Sequence, residues 1–295
     1  MTLNPYKKVA DIYIAAVLRA GIFSPNHIAN DAAILHAVVA ELRKRGCEVT
    51  VYSEEEFADA DIREDVVLAM CRGERAIGKL QSLEDSGRIV MNSGYGIENC
   101  IRMIMVRLLA QGGLPIPDSF VVDTDVDVRK LLRKAGIGPC WVKKGDAPIH
   151  HLEDIARCRH VEEAQEILHE FFFRHISKAV VSRAVEGEKI RCYGILSSDT
   201  FHAFLPFRTP EGDDASAALP ATLYEQVKAI CMKAADVLHV DVFGADMVLD
   251  SNGVCHLVSF DDWPSFAPIR KEAARAIAKA VMARARKSSS KRKSI

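Results

Sequence analysis

The sequence has no Cys-x-x-Cys pair, and its eight cysteines are scattered singly. Most of them (Cys71, Cys140, Cys192, Cys231 and Cys255) stand in apolar runs. That is the usage of reduced, buried thiols and argues against a disulfide framework. His150, His151 and His160 near Cys158 come nearest to a zinc set, and their spacing matches no known ligand pattern. Long apolar runs are also missing. The longest, 12–17 and 66–70, have the length of strands and cannot span a bilayer, so no membrane partner is expected. The N-terminus lacks the pattern of a secretion signal, and a cytoplasmic protein is expected. Neither sign of charge dominates: Lys+Arg 39 against Asp+Glu 40 gives a net charge of -1. No global field favours nucleic acid, and none is expected as a partner. No internal repeat is present.

What is there is an ordinary globular composition on a chain of 295 residues, long enough for two or three subdomains. Strands are expected at 11–17, 47–52, 66–71 and 88–92, with helices at 32–44 and 74–83. Their alternation predicts a parallel sheet with helices on both faces, and ligands in such sheets bind beyond the carboxyl ends of the strands. The polar residues there include Ser24, Asn26, Asn30, Asp31, Arg72 and Asn92. Ser, Asn and Asp also serve as turn and cap residues, whereas Arg72 and Asn92 fit that role less well and point to ligand contact.

A second block follows. Helices are expected at 97–111, 126–135, 162–173 and 219–238, and strands at 138–144, 178–185, 189–195 and 201–207. Residues 211–216 read as a loop, the last helix as 270 to about 286, and 287–295 as a disordered basic tail.

The chain is organised around 240–266, which reads as two strands joined at Asn252-Gly253. That dipeptide between alternating apolar runs predicts a two-residue type I′ turn. Counting outward, Asp246 faces Ser259, with Asp261 on the same face. Two carboxylates and a hydroxyl so placed are either a solvated acidic face or oxygen ligands for a hard cation such as Mg²⁺ carrying substrate phosphates.

In this order the parts resemble the ATP-grasp superfamily over nearly the whole chain. The segment 100–117 is similar to the helix and Pro loop that open the family's nucleotide fold, and Arg102 falls where the family has a phosphate-binding lysine. Trp141-Val-Lys-Lys144 resembles the strand with the second phosphate-binding lysine, matching Lys143. The Gly-rich flap is matched by the Gly-poor 145–149, as in inositol-phosphate kinase-like members. Val180-Val-Ser-Arg-Ala-Val-Glu-Gly187 looks like the interdomain hinge, with Ser182, Arg183, Ala184 and Val185 at the nucleotide base and the family's acidic residue missing. Lys189-Ile-Arg191 is similar to the Asp-Ile-Arg of glutamate-ligase-like members, which makes Arg191 a phosphate or substrate contact. Gly244-Ala-Asp246 and Val258-Ser-Phe-Asp261 match the metal hairpin in spacing, but the family expects a carboxylate where Ser259 stands and an Asn where Asp261 stands.

The resemblance implies an ATP-grasp fold, with two α+β subdomains clasping nucleotide, preceded by an N-terminal Rossmann-like domain. The implied boundaries are 1–95, 96–183, 184–286 and the tail 287–295. It implies ATP and Mg²⁺ as cofactors, with Asp246, Ser259 and Asp261 at the metal and Arg191 and Asp246 in catalysis. The expected activity is amide-bond formation between small molecules through an acyl phosphate. A kinase of a polar small molecule and a nucleotide-binding protein without turnover are the alternatives, the last because of Ser259 and the missing hinge acid.

Overall fold

The computed structural model describes residues 12–24, 28–146, 151–208 and 214–292. In its first part the elements are β1 (Tyr13–Val17), α1 (Ile28–Lys44), β2 (Glu48–Tyr52), α2 (Glu54–Asp59), β3 (Val66–Ala69), α3 (Glu74–Asp85), β4 (Ile89–Met91) and α4 (Gly94–Asn99). Next come α5 (Arg102–Gln111), β5 (Ser119–Asp123), α6 (Arg129–Lys134), β6 (Cys140–Lys144), β7 (Ile155–Cys158), α7 (Val161–Phe173) and β8 (Lys178–Arg183). The last part holds β9 (Glu188–Ile195), β10 (Thr200–Arg208), β11 (Asp214–Ala218), α8 (Ala221–Leu238), β12 (Val242–Leu249), β13 (Cys255–Asp262) and α9 (Arg270–Arg292). No helix among the described residues is long and apolar enough to cross a membrane.

The chain divides into two compact units, Met1–Tyr95 with Trp263–Ile295, and Gly96–Asp262. The first unit is built on a parallel sheet in the order β2-β1-β3-β4. Strand β3 is buried along its whole length, and β1 from Ile14 onward, as central strands of a covered parallel sheet must be. The strand order reverses between β1 and β3, which places a crevice at their carboxyl ends. Helix α1 buries Ile34, Leu35, Val38 and Leu42, a helical repeat, and α9 packs along it with Ile277, Val281 and Met282. The Cys47 sulfur lies 3.1 Å from that of Met282.

Two features of this unit differ from the sequence reading. Helix α9 runs to Arg292, past the expected end near 286 and into the supposed tail. Its Ser-Ser-Ser-Lys-Arg stretch holds no Gly or Pro to stop a helix, and Lys and Arg are good helix formers. Helix α2 was not expected. Ser53 accepts from the Glu56 amide while the Glu56 carboxylate accepts from the Ser53 amide, a capping box legible in Ser-x-x-Glu.

The second unit holds two antiparallel sheets, β5-β8-β6-β7 and β11-β10-β9-β12-β13. The first packs Cys140, Val142, Cys158, Ala179 and Val181 against Leu132 of α6 and Ala164, Leu168 and Phe171 of α7. The second packs Ile190, Cys192, Phe243, Ala245, Met247 and Phe260 against α5 and α8. Phe243 and Phe260 stack with ring centroids 5.0 Å apart. Strand β11 begins within the expected loop, because an edge strand of Asp, Ala and Ser is held by its main-chain pairing to β10 and not signalled by propensity.

The hairpin β12–β13 departs from the predicted turn. Type I′ needs positive φ at both central residues. Here the Gly253 amide donates to the Asp250 carbonyl at 3.0 Å and the Asp250 amide to the Val254 carbonyl at 3.0 Å. Positive φ falls on Gly253, at +79°. The loop therefore has three residues, a type I turn closed by a left-handed glycine. The Asp250 carboxylate selects it by accepting from the amides of Asn252 and Val254, each at 2.9 Å. The shorter strand register that results is then undone by a bulge. Met247 pairs Leu257 and Asp246 pairs Ser259, leaving Val258 as the extra residue.

Candidate functional site

The bulge decides which side chains meet. Before it, Cys255 and Leu257 point into the core; after it, Phe260 and Asp262 do. Ser259 and Asp261 are thereby turned to the face away from α5 and α8. Strand pairing sets Phe204, Arg191, Asp246 and Ser259 in one row across β10, β9, β12 and β13. The next row is His202, Tyr193, Gly244 and Asp261. Tyr193 and Phe204 lie 5.9 Å apart between ring centroids.

Within the first row, Arg191 Nε and Asp246 Oδ1 are 3.0 Å apart. Burial pushes the Asp246 carboxyl above its ordinary value and the Asp261 charge adds to this, while Arg191 and Lys143 oppose it. Asp261 itself is exposed.

Lys143 comes from the other sheet. Along β6, Cys140 and Val142 face the core, so Trp141 and Lys143 share the opposite face. Lys143 Nζ lies over the Trp141 ring at 5.9 Å and 3.4 Å from the Val258 carbonyl oxygen. Burial pushes the Lys143 ammonium down to about 7, helped by the positive charge of Arg102 and opposed by Asp261 and Asp246. Arg102 opens α5, whose next amide, on Met103, donates to the Gly145 carbonyl at 3.0 Å just beyond β6. Arg102, Lys143, Arg191, Asp246 and Asp261 thus form one electrostatic neighbourhood, with Ser259 in the Asp246 row.

Among the described residues there is no group of three or more His, Cys, Asp or Glu that could hold a metal ion. Asp246, Asp261 and the Ser259 hydroxyl are oxygen donors. A set of this size suits Mg²⁺, which keeps waters and takes one or two carboxylates plus substrate phosphates.

The residues expected at the hinge are largely engaged. The Ser182 hydroxyl meets that of Ser119 at 2.8 Å. The Arg183 guanidinium bonds the Asp118 carboxylate at 3.0 Å and the carbonyls of Ala135 and Gly136. The Arg183 amide donates to the Asp118 carbonyl and the Ala184 amide to the Pro139 carbonyl, both at 2.9 Å. Val185 follows β8, half-buried.

The N-terminal candidates lie in the first unit. Ser24 Oγ donates to Asp31 Oδ2 at 2.6 Å, and Arg19 Nη1 does so at 2.9 Å. Arg19 also donates to the carbonyls of Met70 and Trp263. Asn30 accepts from Arg270 at 3.0 Å. The Arg72 amide donates to Glu54 Oε1 at 2.9 Å and the Ala20 amide to Glu54 Oε2 at 2.8 Å, with the Gly73 amide as a third donor. Asn92 is fully buried. Asn26 and residues 147–149 of the expected flap lie outside the described residues. Sequence reasoning missed Arg19 and Glu54, which organise this region. The capping box at Ser53 was the signal that would have placed Glu54 at a helix start.

No family model matches the chain. It is 26% identical over 192 residues to human beta-citrylglutamate synthase B, a match covering 59% of this chain and 47% of that relative. The chain therefore matches about half the length of that curated relative. The structure of D-alanine--D-alanine ligase from Bacillus anthracis complexed with ATP superposes with a TM-score of 0.72 at 16% identity, covering 94% of this chain and 99% of that one. The ATP-grasp ligase PsnB complexed with minimal precursor, Mg and ADP superposes with a TM-score of 0.64 at 17% identity, covering 92% and 98%. D-cycloserine synthetase DcsG gives 0.67 at 17% identity, covering 92% and 99%.

Proposed function

We propose that this chain, which has the ATP-grasp fold, is an ATP- and Mg²⁺-dependent ligase that joins a small carboxylate or amino acid to an amine through an acyl phosphate. The observation that carries this reading is the convergence of Lys143 and Arg191 on the hairpin carboxylate Asp246, with Asp261 and Arg102 close to Lys143. Phosphoryl transfer needs its charge neutralised and its partners positioned, and little more from the protein. Lys143 and Arg102 would hold the nucleotide phosphates. Asp246 and Asp261, with the Ser259 hydroxyl, would hold Mg²⁺, which neutralises phosphate charge when bound. The reacting carboxylate oxygen takes the γ-phosphoryl group and ADP leaves; the amine then attacks the acyl carbon and phosphate departs. Arg191 would steady the anion formed in either step. With two hinge amides already bonded, the base would be read by the Val185 amide and the hinge carbonyls.

A second reading, nucleotide binding without turnover, is favoured by one observation: Ser259 faces Asp246 where a further carboxylate would strengthen the cation site. ADP release with a panel of amino acids and small carboxylates, each with and without an amine, separates the two. Substrate-dependent ADP release supports the ligase. Mg²⁺-dependent ADP binding without any release supports the second reading, and no nucleotide affinity at all removes both.

A further inference from the structure

We propose that Cys140 and Cys158 form a reversible dithiol–disulfide site that reacts with low-molecular-weight disulfides. The two residues face each other across the antiparallel pair β6–β7. Directly opposed residues in such a pair have Cα atoms about 4.5–5.5 Å apart. That spacing lies inside the range a disulfide spans without backbone movement, about 4.4–6.8 Å. Both side chains turn into the same core beneath α6 and α7, so their Cβ vectors point the same way. Both are free thiols. The two thiols are close enough to interact with one another.

Burial shields both thiols, but not equally from opening. Strand β7 has four residues, sits at the edge of its sheet and is hydrogen-bonded to β6 alone among the described strands. Edge strands can open by local unfolding without unfolding the whole unit. Cys192 and Cys231 are a second pair of thiols in contact and supply an internal comparison. They join the central strand β9 to α8 in the middle of the larger core, and no strand pairing fixes their Cα separation. They stay reduced where Cys140 and Cys158 react.

The chemistry balances. The thiolate of one of the two cysteines attacks one sulfur of the small disulfide, forming a mixed disulfide and releasing one small thiol. The other cysteine then attacks that protein sulfur and releases the second, so two protein thiols are oxidised and one small disulfide is reduced to two thiols. The crosslink ties β7 to the strand that carries Lys143, on the face opposite Lys143. It also lies beside Pro139, whose carbonyl receives the Ala184 amide of the hinge.

The test is oxidation of the full chain with oxidised glutathione for hours, followed by trapping of free thiols with N-ethylmaleimide under denaturing conditions, intact mass and peptide mapping. The expected result is loss of two hydrogens, one crosslinked peptide pair containing Cys140 and Cys158, alkylation of every other cysteine and full reversal by dithiothreitol. Cys158→Ser removes the crosslink, and Cys192→Ala leaves it in place. An unchanged thiol titre, arrest at the glutathione adduct in the wild-type chain, or a crosslink through Cys192 and Cys231 overturns the proposal.

Discussion

Lys143 Nζ reaches to 3.4 Å from the carbonyl oxygen of Val258, the residue pushed out of register by the hairpin bulge. A cation from one sheet is thereby set against the irregular point of a strand in the other. The bulge turns Ser259 and Asp261 to the site face, and the carbonyl of its extra residue meets Lys143.

Holding an ammonium in this place costs stability. Its ordinary value near 10.5 falls to about 7, so between those values the unfolded chain binds a proton that the folded chain does not. Stability contributed by this group therefore rises as pH climbs from about 7 toward 10.5, and is lowest below 7. Lys143→Met is expected to stabilise the fold by roughly 1–3 kcal/mol below neutrality, less at high pH, and to weaken Mg·ADP binding by about tenfold or more. Thermal unfolding across pH, with calorimetric titration of Mg·ADP, checks both halves.

Nucleotide affinity carries the same titration. Phosphates favour the ammonium form of Lys143, so binding by the wild-type chain is expected to weaken as pH rises through 7 and above. Lys143→Arg removes that dependence, because a guanidinium stays charged throughout. Parallel pH slopes for the two proteins would contradict the assignment of Lys143 to phosphate.

Ser259→Glu places a third carboxylate in the row that holds Asp246. Added anionic oxygen raises affinity for a hard cation. Mg·ADP is expected to bind about fivefold tighter or better, while the metal-free protein loses melting temperature from repulsion among the carboxylates. Weaker Mg·ADP binding in this variant would place the cation elsewhere.

Gly253 closes the hairpin at φ +79°. Gly253→Ala is expected to cost about 1–2 kcal/mol, seen as a lower midpoint in urea. Asn252→Ala should cost less, since positive φ is not required there. Asp250 is held below the ordinary carboxylate range by the Val254 amide first, then by His256 and the Asn252 amide. Its contribution is present above the usual Asp value and is lost as pH falls through the depressed one.

The site row was legible in the sequence for a reason only the structure exposes. A two-residue turn predicts that Asp246 faces Ser259; a three-residue turn alone would have moved the pairing by one, and the bulge at Val258 moved it back. Lys143 and Arg191 were marked by the family resemblance and not by pattern alone; they lie on strands whose other face is apolar. The N-terminal polar residues were harder to judge. Ser24 and Asp31 look available in sequence, but their partner Arg19 also takes the carbonyls of Met70 and Trp263, far along the chain. Glu54 likewise gathers amides from Ala20, Arg72 and Gly73. Such internal partners depend on tertiary contacts that no local pattern encodes. The same holds for the expected hinge, where the carbonyls of Asp118 and Pro139 accept from the amides of Arg183 and Ala184.

The central claim is that the hairpin face binds the cation of a magnesium nucleotide, and Asp246→Asn tests it most directly. The variant keeps the shape of the side chain and its place opposite Arg191. Calorimetric titration with ADP at saturating and at zero Mg²⁺ is expected to show strong Mg²⁺-dependent binding in the wild-type chain. In the variant that dependence should fall by about tenfold or more, with the melting temperature nearly unchanged. Equal Mg²⁺ dependence in the two proteins would contradict the account.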